Sequence, residues 1–294
     1  MKAFFRLLTG VILTFSISEA STIIAPTDDP LVTAQMYRDE AALYPMVGKV
    51  TGSGLSGSGV LISDRWVLTA GHIAFSKSSG TFNVAGVDYA IQRWTTHPSY
   101  SFGSNPYDLG LLYLSGPVAA VDPAKMIQLG GANSILGREA TWVGTGLTGT
   151  GLTGAQAPLE FRAFTNVIDV IGTAYGQTAT SFVADFDRPD GTSNADPELS
   201  SPTATRLEGN VANGDSGGGV FITEGGNRYL VGINSYTGQF APGPASAYGS
   251  ISGATNLELF HTWIFERTGI TAVPEPGSVW IICLGSLLSL RRRR

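Results

Sequence analysis

Cysteine and histidine are scarce in this chain. Among 294 residues there is one cysteine, Cys283, close to the C-terminal end. The long stretch before it cannot be cross-linked internally, so whatever folds there is held by packing alone. The three histidines, His72, His97 and His261, show neither a His-x-x-x-His pair nor other metal-ligand spacing. No metal site and no cofactor are therefore expected. Charge is thin as well: Asp, Glu, Lys and Arg make up 14% of the chain, against roughly a quarter in ordinary globular domains. With residues 1–20 and 275–294 set aside, 12 basic and 21 acidic side chains remain, a net of −9. That sign argues against nucleic acid or an anionic membrane surface as a direct partner. What the chain has in quantity is glycine, 38 residues, and 43% apolar side chains. The combination fits short strands joined by tight turns around a sizeable core, with no tract polar enough to stay disordered.

The two ends read as addresses. Lys2 and Arg6 open the chain, Leu7–Ile17 is apolar, and Ser18-Glu19-Ala20 has the small-x-small form of a cleavage site. Residues 1–20 are therefore a signal peptide cut after Ala20. Residues 21–45, polar with prolines and acids, read as a propeptide or N-terminal extension. At the other end Val273-Pro274-Glu275-Pro276-Gly277-Ser278 precedes the apolar stretch Val279–Leu290 and then Arg291–Arg294. Even counted from Gly277, that helix would span only ~21 Å against a hydrocarbon core of ~30 Å. Residues 273–294 resemble the PEP-CTERM sorting signal of Gram-negative bacteria. The resemblance implies a sorting enzyme acting on Pro274-Glu275-Pro276 and membrane contact only through this segment. The arginines would stay in the cytoplasm, and the protein would be displayed at the cell surface or in extracellular matrix.

Between these ends, Gly214-Asp215-Ser216-Gly217-Gly218 places a serine on a glycine-flanked turn. Glycines let a substrate carbonyl approach the backbone and let peptide N–H groups point into one hollow. A serine hydroxyl needs an adjacent base to act as a nucleophile. His72 follows the apolar run Val67-Leu68-Thr69-Ala70-Gly71, which breaks at glycine to present an imidazole. Asp108 precedes the apolar run Leu109-Gly110-Leu111-Leu112-Tyr113-Leu114, an edge where an acid can be buried and still find a partner. The order His, Asp, Ser with these three contexts resembles the chymotrypsin/trypsin-like serine endopeptidases, over about residues 45–268.

That resemblance implies an all-β fold: two antiparallel six-stranded β-barrels, about 46–125 and 126–254, with the site between them. A C-terminal helix over 255–268 would complete a domain of 46–270. It implies Ser216 as nucleophile, His72 as general base and acid, Asp108 as its orienting carboxylate, and the N–H groups of Gly214 and Ser216 as the oxyanion hole. Substrates would be proteins or peptides, and the enzyme a monomer. The alternative from another class is a catalytically silent surface binding or adhesion protein on the same scaffold. Ile73 and Ala212 stand where animal relatives usually carry cysteines, which points to a disulfide-free bacterial branch.

Specificity and activation depart from the family pattern. Asn210 stands at the base of the primary pocket in relatives, Ser235-Tyr236-Thr237 resembles the segment that pairs with substrate, and Thr237 replaces a common glycine. A neutral amide offers no counter-charge to Lys or Arg, so small or medium uncharged side chains are expected. Activation by a new N-terminus pairing with Asp215 would start near Met46-Val47, but Tyr44-Pro45 precedes it in place of a basic residue, so no cut is expected there. His97, in a His-Pro loop, reads as structural, and His261 as surface or packing. Asp185–Gly191 reads as a solvated acidic turn. The repeat Gly146-Leu147-Thr148-Gly149 and Gly151-Leu152-Thr153-Gly154 reads as a flexible surface loop. Thr255-x-x-Glu258 predicts a capping box that opens the last helix, with Leu257, Phe260 and Ile264 on its buried face.

Overall fold

The computed structural model describes residues 21–275, apart from 104–105, 197, 202 and 241–242. Both terminal address segments, except for residues 273–275, lie outside the described residues. Strand β1 (Thr22–Ile23) and helix α1 (Ala34–Ala41) come first. The first half then runs β2 (Val47–Gly52), β3 (Leu55–Leu61), β4 (Trp66–Thr69), the single turn α2 (Gly71–Ala74), β5 (Gly80–Val84), β6 (Val87–Thr96) and β7 (Gly110–Leu114). These six strands, β2 to β7, close into a barrel in the order β2-β3-β4-β7-β6-β5. Val50, Leu61, Val67, Phe82, Leu112 and Leu114 share one face through these pairings and are buried there. Burying such side chains contributes about 1.5–3 kcal/mol each, which is how a barrel without disulfides holds together.

After β8 (Ile127–Gln128) come β9 (Glu139–Gly144), β10 (Leu147–Thr150), β11 (Gly154–Leu159), β12 (Arg162–Val167), β13 (Val170–Ile171) and β14 (Ser181–Asp185). β15 (Gly209–Asn210), β16 (Gly219–Glu224), β17 (Asn227–Gln239) and β18 (Ser250–Asn256) complete the second half. Here the expectation of a second closed barrel is not met among the described residues. Seven strands form an open sheet, β12-β9-β16-β17-β18-β14-β13, beside a four-stranded sheet, β11-β10-β1-β15. The reason is visible in the pairing: β13 has only two residues and its one partner is β14, so it does not bridge back to β12. Trp142, fully buried, stacks on Phe164 and meets Phe182 edge-on at the centre of this half.

Two further expectations change. The Gly-Leu-Thr-Gly repeat is not a flexible loop but the hairpin β10–β11. A Cβ on Gly149 would lie 1.9 Å from the Gly154 carbonyl oxygen, so glycine is what lets these strands pair. The last helix, α3 (His261–Thr268), begins later than the capping box predicts. Asn256 caps a short 3-10 turn, Leu257–Leu259, by accepting from the Glu258 N–H, while the Thr255 hydroxyl is drawn to the Asp108 carbonyl. Leu257, Phe260 and Ile264 are buried, and Gly269 ends the helix in the left-handed conformation.

Residues 21–45 are built into the body. Ile23, Ile24, Val32 and Tyr37 belong to the core of the second half, and Ala41 and Tyr44 to the barrel core. β1 pairs antiparallel with β15, Thr22 opposite Asn210 and Ile23 opposite Gly209.

Candidate active site

Three separate elements bring His72, Asp108 and Ser216 to the junction of the two halves. His72 sits on α2, where the chain leaves β4. Its backbone N–H donates to Asp108 Oδ1 at 2.8 Å, and its ring Nδ1 pairs with Asp108 Oδ2 at 2.9 Å. Two contacts fix both the position and the turn of the imidazole. With Nδ1 carrying the proton toward a carboxylate, Nε2 is left as an acceptor.

Asp108 is 2% exposed and accepts two further hydrogen bonds. Ser235 Oγ donates to Oδ2 at 2.6 Å, and Thr255 Oγ1 donates to the backbone carbonyl at 2.9 Å. Ser235 lies in the segment expected to line the pocket, and its hydroxyl is turned to the orienting acid. Neither contact was foreseen, because β17 and β18 meet Asp108 only through the fold.

Ser216 lies in the turn between β15 and β16. Its carbonyl accepts from Ser58 N–H at 2.7 Å, Gly217 N–H donates to Asn234 O at 2.8 Å, and Gly218 N–H to Asp215 O at 2.8 Å. Gly217 has φ 89°, and a Cβ there would meet Ser58 O at 2.1 Å. The turn is thus clamped against the barrel at a residue where only glycine fits. Among the described residues, the N–H groups of Gly214 and Ser216 make no hydrogen bond. His72 and Ser216 line a cavity of about 200 Å³ together with Ala212, Ser235, Tyr236 and Thr237.

Asn210 does not reach that cavity. It is fully buried behind Thr237, with Nδ2 donating to Thr237 Oγ1 at 2.9 Å and Oδ1 accepting from Ser252 Oγ at 2.7 Å. Thr237 Oγ1 in turn donates to Ile251 O at 3.1 Å. Thr237 lines the cavity, and Asn210, bonded to it, does not.

The carboxylate beside the nucleophile has an unforeseen partner. Asp215 Oδ1 accepts from Gly146 N–H at 2.8 Å, and Oδ2 from Ala212 N–H at 2.8 Å and Ser21 Oγ at 2.9 Å. Burial pushes its pKa up to about 6, opposed by these hydrogen bonds and by the charge of Arg162. Arg162 also donates to the carbonyl of Ser21 at 3.1 Å. The family pattern would put the matching chain start near Met46-Val47, where the sequence leads us to expect no cut. Val47 lies in the first barrel strand, opposite Val60, and the residue that reaches Asp215 is Ser21.

The other histidines stay outside the cavity. His97 stacks on Tyr107 with centroids 5.1 Å apart and packs against Phe260 and Trp263. Burial and the Arg267 charge hold its pKa below the usual histidine range. His261 is mostly buried 3.9 Å from Glu258, and burial lowers its pKa too. The turn Asp185–Gly191 is not solvated at its start: Asp185 and Asp187 are buried beside Asp169. Desolvation pushes all three carboxyls up, Asp187 to about 8. Among the described residues no cluster of His, Cys, Asp or Glu is arranged to hold a metal ion.

A mostly β chain with one closed barrel and His72, Asp108 and Ser216 at the junction of its two halves is consistent with a chymotrypsin-like fold. The family model for Trypsin matches residues 35–264, and the chain belongs to that family. The model for the PEP-CTERM protein-sorting motif matches residues 272–294, a signal of proteins exported by Gram-negative bacteria. A trypsin from Phaedon cochleariae is 34% identical over 106 residues, which are 29% of this chain and 41% of that protein. The chain thus spans less than half the length of that relative. The solved structure of HL collagenase superposes with a TM-score of 0.58 at 17% identity, covering 79% of this chain and 96% of the collagenase chain. At that identity the likeness is one of fold.

Proposed function

We propose that this protein is an exported serine endopeptidase acting through His72, Asp108 and Ser216. The observation that carries the reading is the two-point hold of Asp108 on His72, with Ser216 in the same cavity. Ser216 Oγ attacks the scissile carbonyl as Nε2 of His72 takes its proton, and Asp108 stabilises the imidazolium formed. The N–H groups of Gly214 and Ser216 receive the developing oxyanion, a donor of this kind contributing roughly 3–4 kcal/mol. His72 then passes the proton to the leaving amine, and water hydrolyses the acyl-enzyme by the same route in reverse. The seven-stranded sheet with its four-stranded neighbour takes the place of the family's second barrel.

The floor at Thr237, backed by Asn210 and Ser252, suits small uncharged side chains before the cut. Activation follows from the chain start. Cleavage after Ala20 frees an α-amino group on Ser21, whose hydroxyl already touches Asp215. A cation at that point pairs with the buried carboxylate and orders the Ser216 turn, so removal of the signal peptide and activation are one event. The folded body acts as a monomer, and a sorting system takes its C-terminal tail.

Labelling with a fluorophosphonate probe tests the chemistry. Signal-cleaved wild type is labelled and Ser216→Ala is not. A signal-cleaved, folded wild type that resists the probe would sink the enzymatic reading in favour of a silent surface-binding protein.

A further inference from the structure

The first two residues of the Pro-Glu-Pro motif are seated on the catalytic body. Strand β19 (Val273–Pro274) runs parallel to β8, Val273 opposite Ile127 and Pro274 opposite Gln128. Val273 N–H donates to Met126 O at 2.9 Å and Glu275 N–H to Gln128 O at 3.2 Å. The Glu275 carboxylate receives Nη2 of Arg138 at 2.7 Å.

Arg138 is fixed independently of the motif. Its Nε donates to Ser134 O at 3.0 Å and its Nη1 to Glu224 Oε2 at 3.1 Å. The guanidinium is therefore already aimed before Glu275 arrives, and little side-chain freedom is lost when the third bond forms. Beside the pair runs an open groove of about 540 Å³, lined by Arg138, Thr141, Phe221, Thr223, Glu224 and Glu275.

An enzyme that binds an extended peptide pairs with its backbone edge and reads its side chains. Here the edge is occupied by β8 and the motif's only charged side chain by Arg138. We infer that Arg138 and β8 form a socket that holds the sorting motif docked, so that the motif must detach from the body before the tail is processed. The sorting partner must then replace what the socket supplied: a cation for Glu275 and backbone acceptors for the amides of Val273 and Glu275. The inference rests on the sorting-motif match and is independent of peptidase activity.

Full-length protein tests it by hydrogen exchange and by the rate of tail loss in the producing cell. In wild type the Val273 and Glu275 amides exchange slowly. Arg138→Gln speeds both by about tenfold or more, leaves the barrel amide of Leu68 unchanged, and shortens the time to tail loss. If Leu68 also speeds up, the variant has loosened the whole fold. Glu275→Gln, which leaves Arg138 and its bonds to Ser134 and Glu224 in place, then decides: faster exchange at residues 273 and 275 with Leu68 unchanged supports the socket, and unchanged exchange there overturns it. Wild-type amides already exchanging at unprotected rates would overturn the proposal. So would tail loss unchanged or slowed in Arg138→Gln, since the socket would then present the motif and not withhold it.

Discussion

Asp215→Asn, made both in the signal-cleaved chain and in a chain extended before Ser21, separates the role of the buried acid from its stability. In the extended form no ammonium stands beside Asp215, and burial holds its pKa at about 6 against an ordinary 3.8. A carboxyl raised in the fold keeps its proton where the unfolded chain has lost it, so its stabilisation is present below pH 3.8 and lost as pH rises to about 6. At 1.36 kcal/mol per unit that loss is about 3 kcal/mol at pH 7. Asparagine relieves it but turns an amide N–H₂ toward Gly146 or Ala212, one buried donor facing another, at about 1–3 kcal/mol. The two terms nearly cancel, and Asp215→Asn should leave the extended chain's melting temperature about where it was. In the cleaved chain the same substitution removes the partner of a buried ammonium, which costs about 3–5 kcal/mol and lowers the melting point. Activity follows the pairing: loss of an ordered oxyanion hole reduces kcat by roughly 10²–10³. Cleaved Asp215→Asn and extended wild type should both fall that far on a small ester substrate, with little further loss when combined. Extended wild type as active as the cleaved form would refute the reasoning. So would an equal drop in melting point in both forms.

Three other outcomes follow from the same contacts. The Ser21 amine has an ordinary pKa near ~8 that pairing with Asp215 raises; activity of the cleaved chain should therefore hold at neutral pH and fall as pH climbs through the raised value, and a profile flat to pH 11 would count against the pair. Thr237→Gly opens the cavity floor, and kcat/KM for Leu or Phe before the cut should rise by about tenfold or more relative to Ala, measured with paired peptide substrates. Asp187→Asn removes a carboxyl held at about 8 by burial; because that group's stabilisation declines as pH rises from 3.8 to about 8, the variant should gain melting temperature over wild type at pH 8 and little at pH 4.

The three residues proposed to carry the chemistry were legible in the sequence because their contexts are local. His72 follows an apolar strand and Asp108 and Ser216 precede one, so the type and order of three short blocks pointed to them. Asn210 was misjudged for the opposite reason. Its place behind Thr237 depends on Ser252, 42 positions away and on another strand, and no spacing rule reports that bond. The acidic turn failed similarly: Asp185 and Asp187 look solvated in sequence, and only the pairing of β14 with β18 buries Asp185, with Asp187 two residues beyond. The open second half turned on the two-residue length of β13, a boundary that composition does not mark.

A residue next to the first predicted address and a residue within the second are built into the fold, and this bears on what export means for the protein. Ser21, which follows the predicted signal peptide, touches Asp215 beside Ser216, and Glu275, within the sorting motif, touches Arg138 on the body. A segment that served only as a label would be selected for exposure and would make no such bonds. Because these two make charge-assisted contacts with buried or pre-aimed partners, each processing step changes the energy of the folded domain. The N-terminal cut adds a cation where a carboxylate is buried; the C-terminal step must break an ion pair and two backbone hydrogen bonds. Activation should therefore be tied to crossing the inner membrane, and release of the tail to the folded state of the domain that carries it.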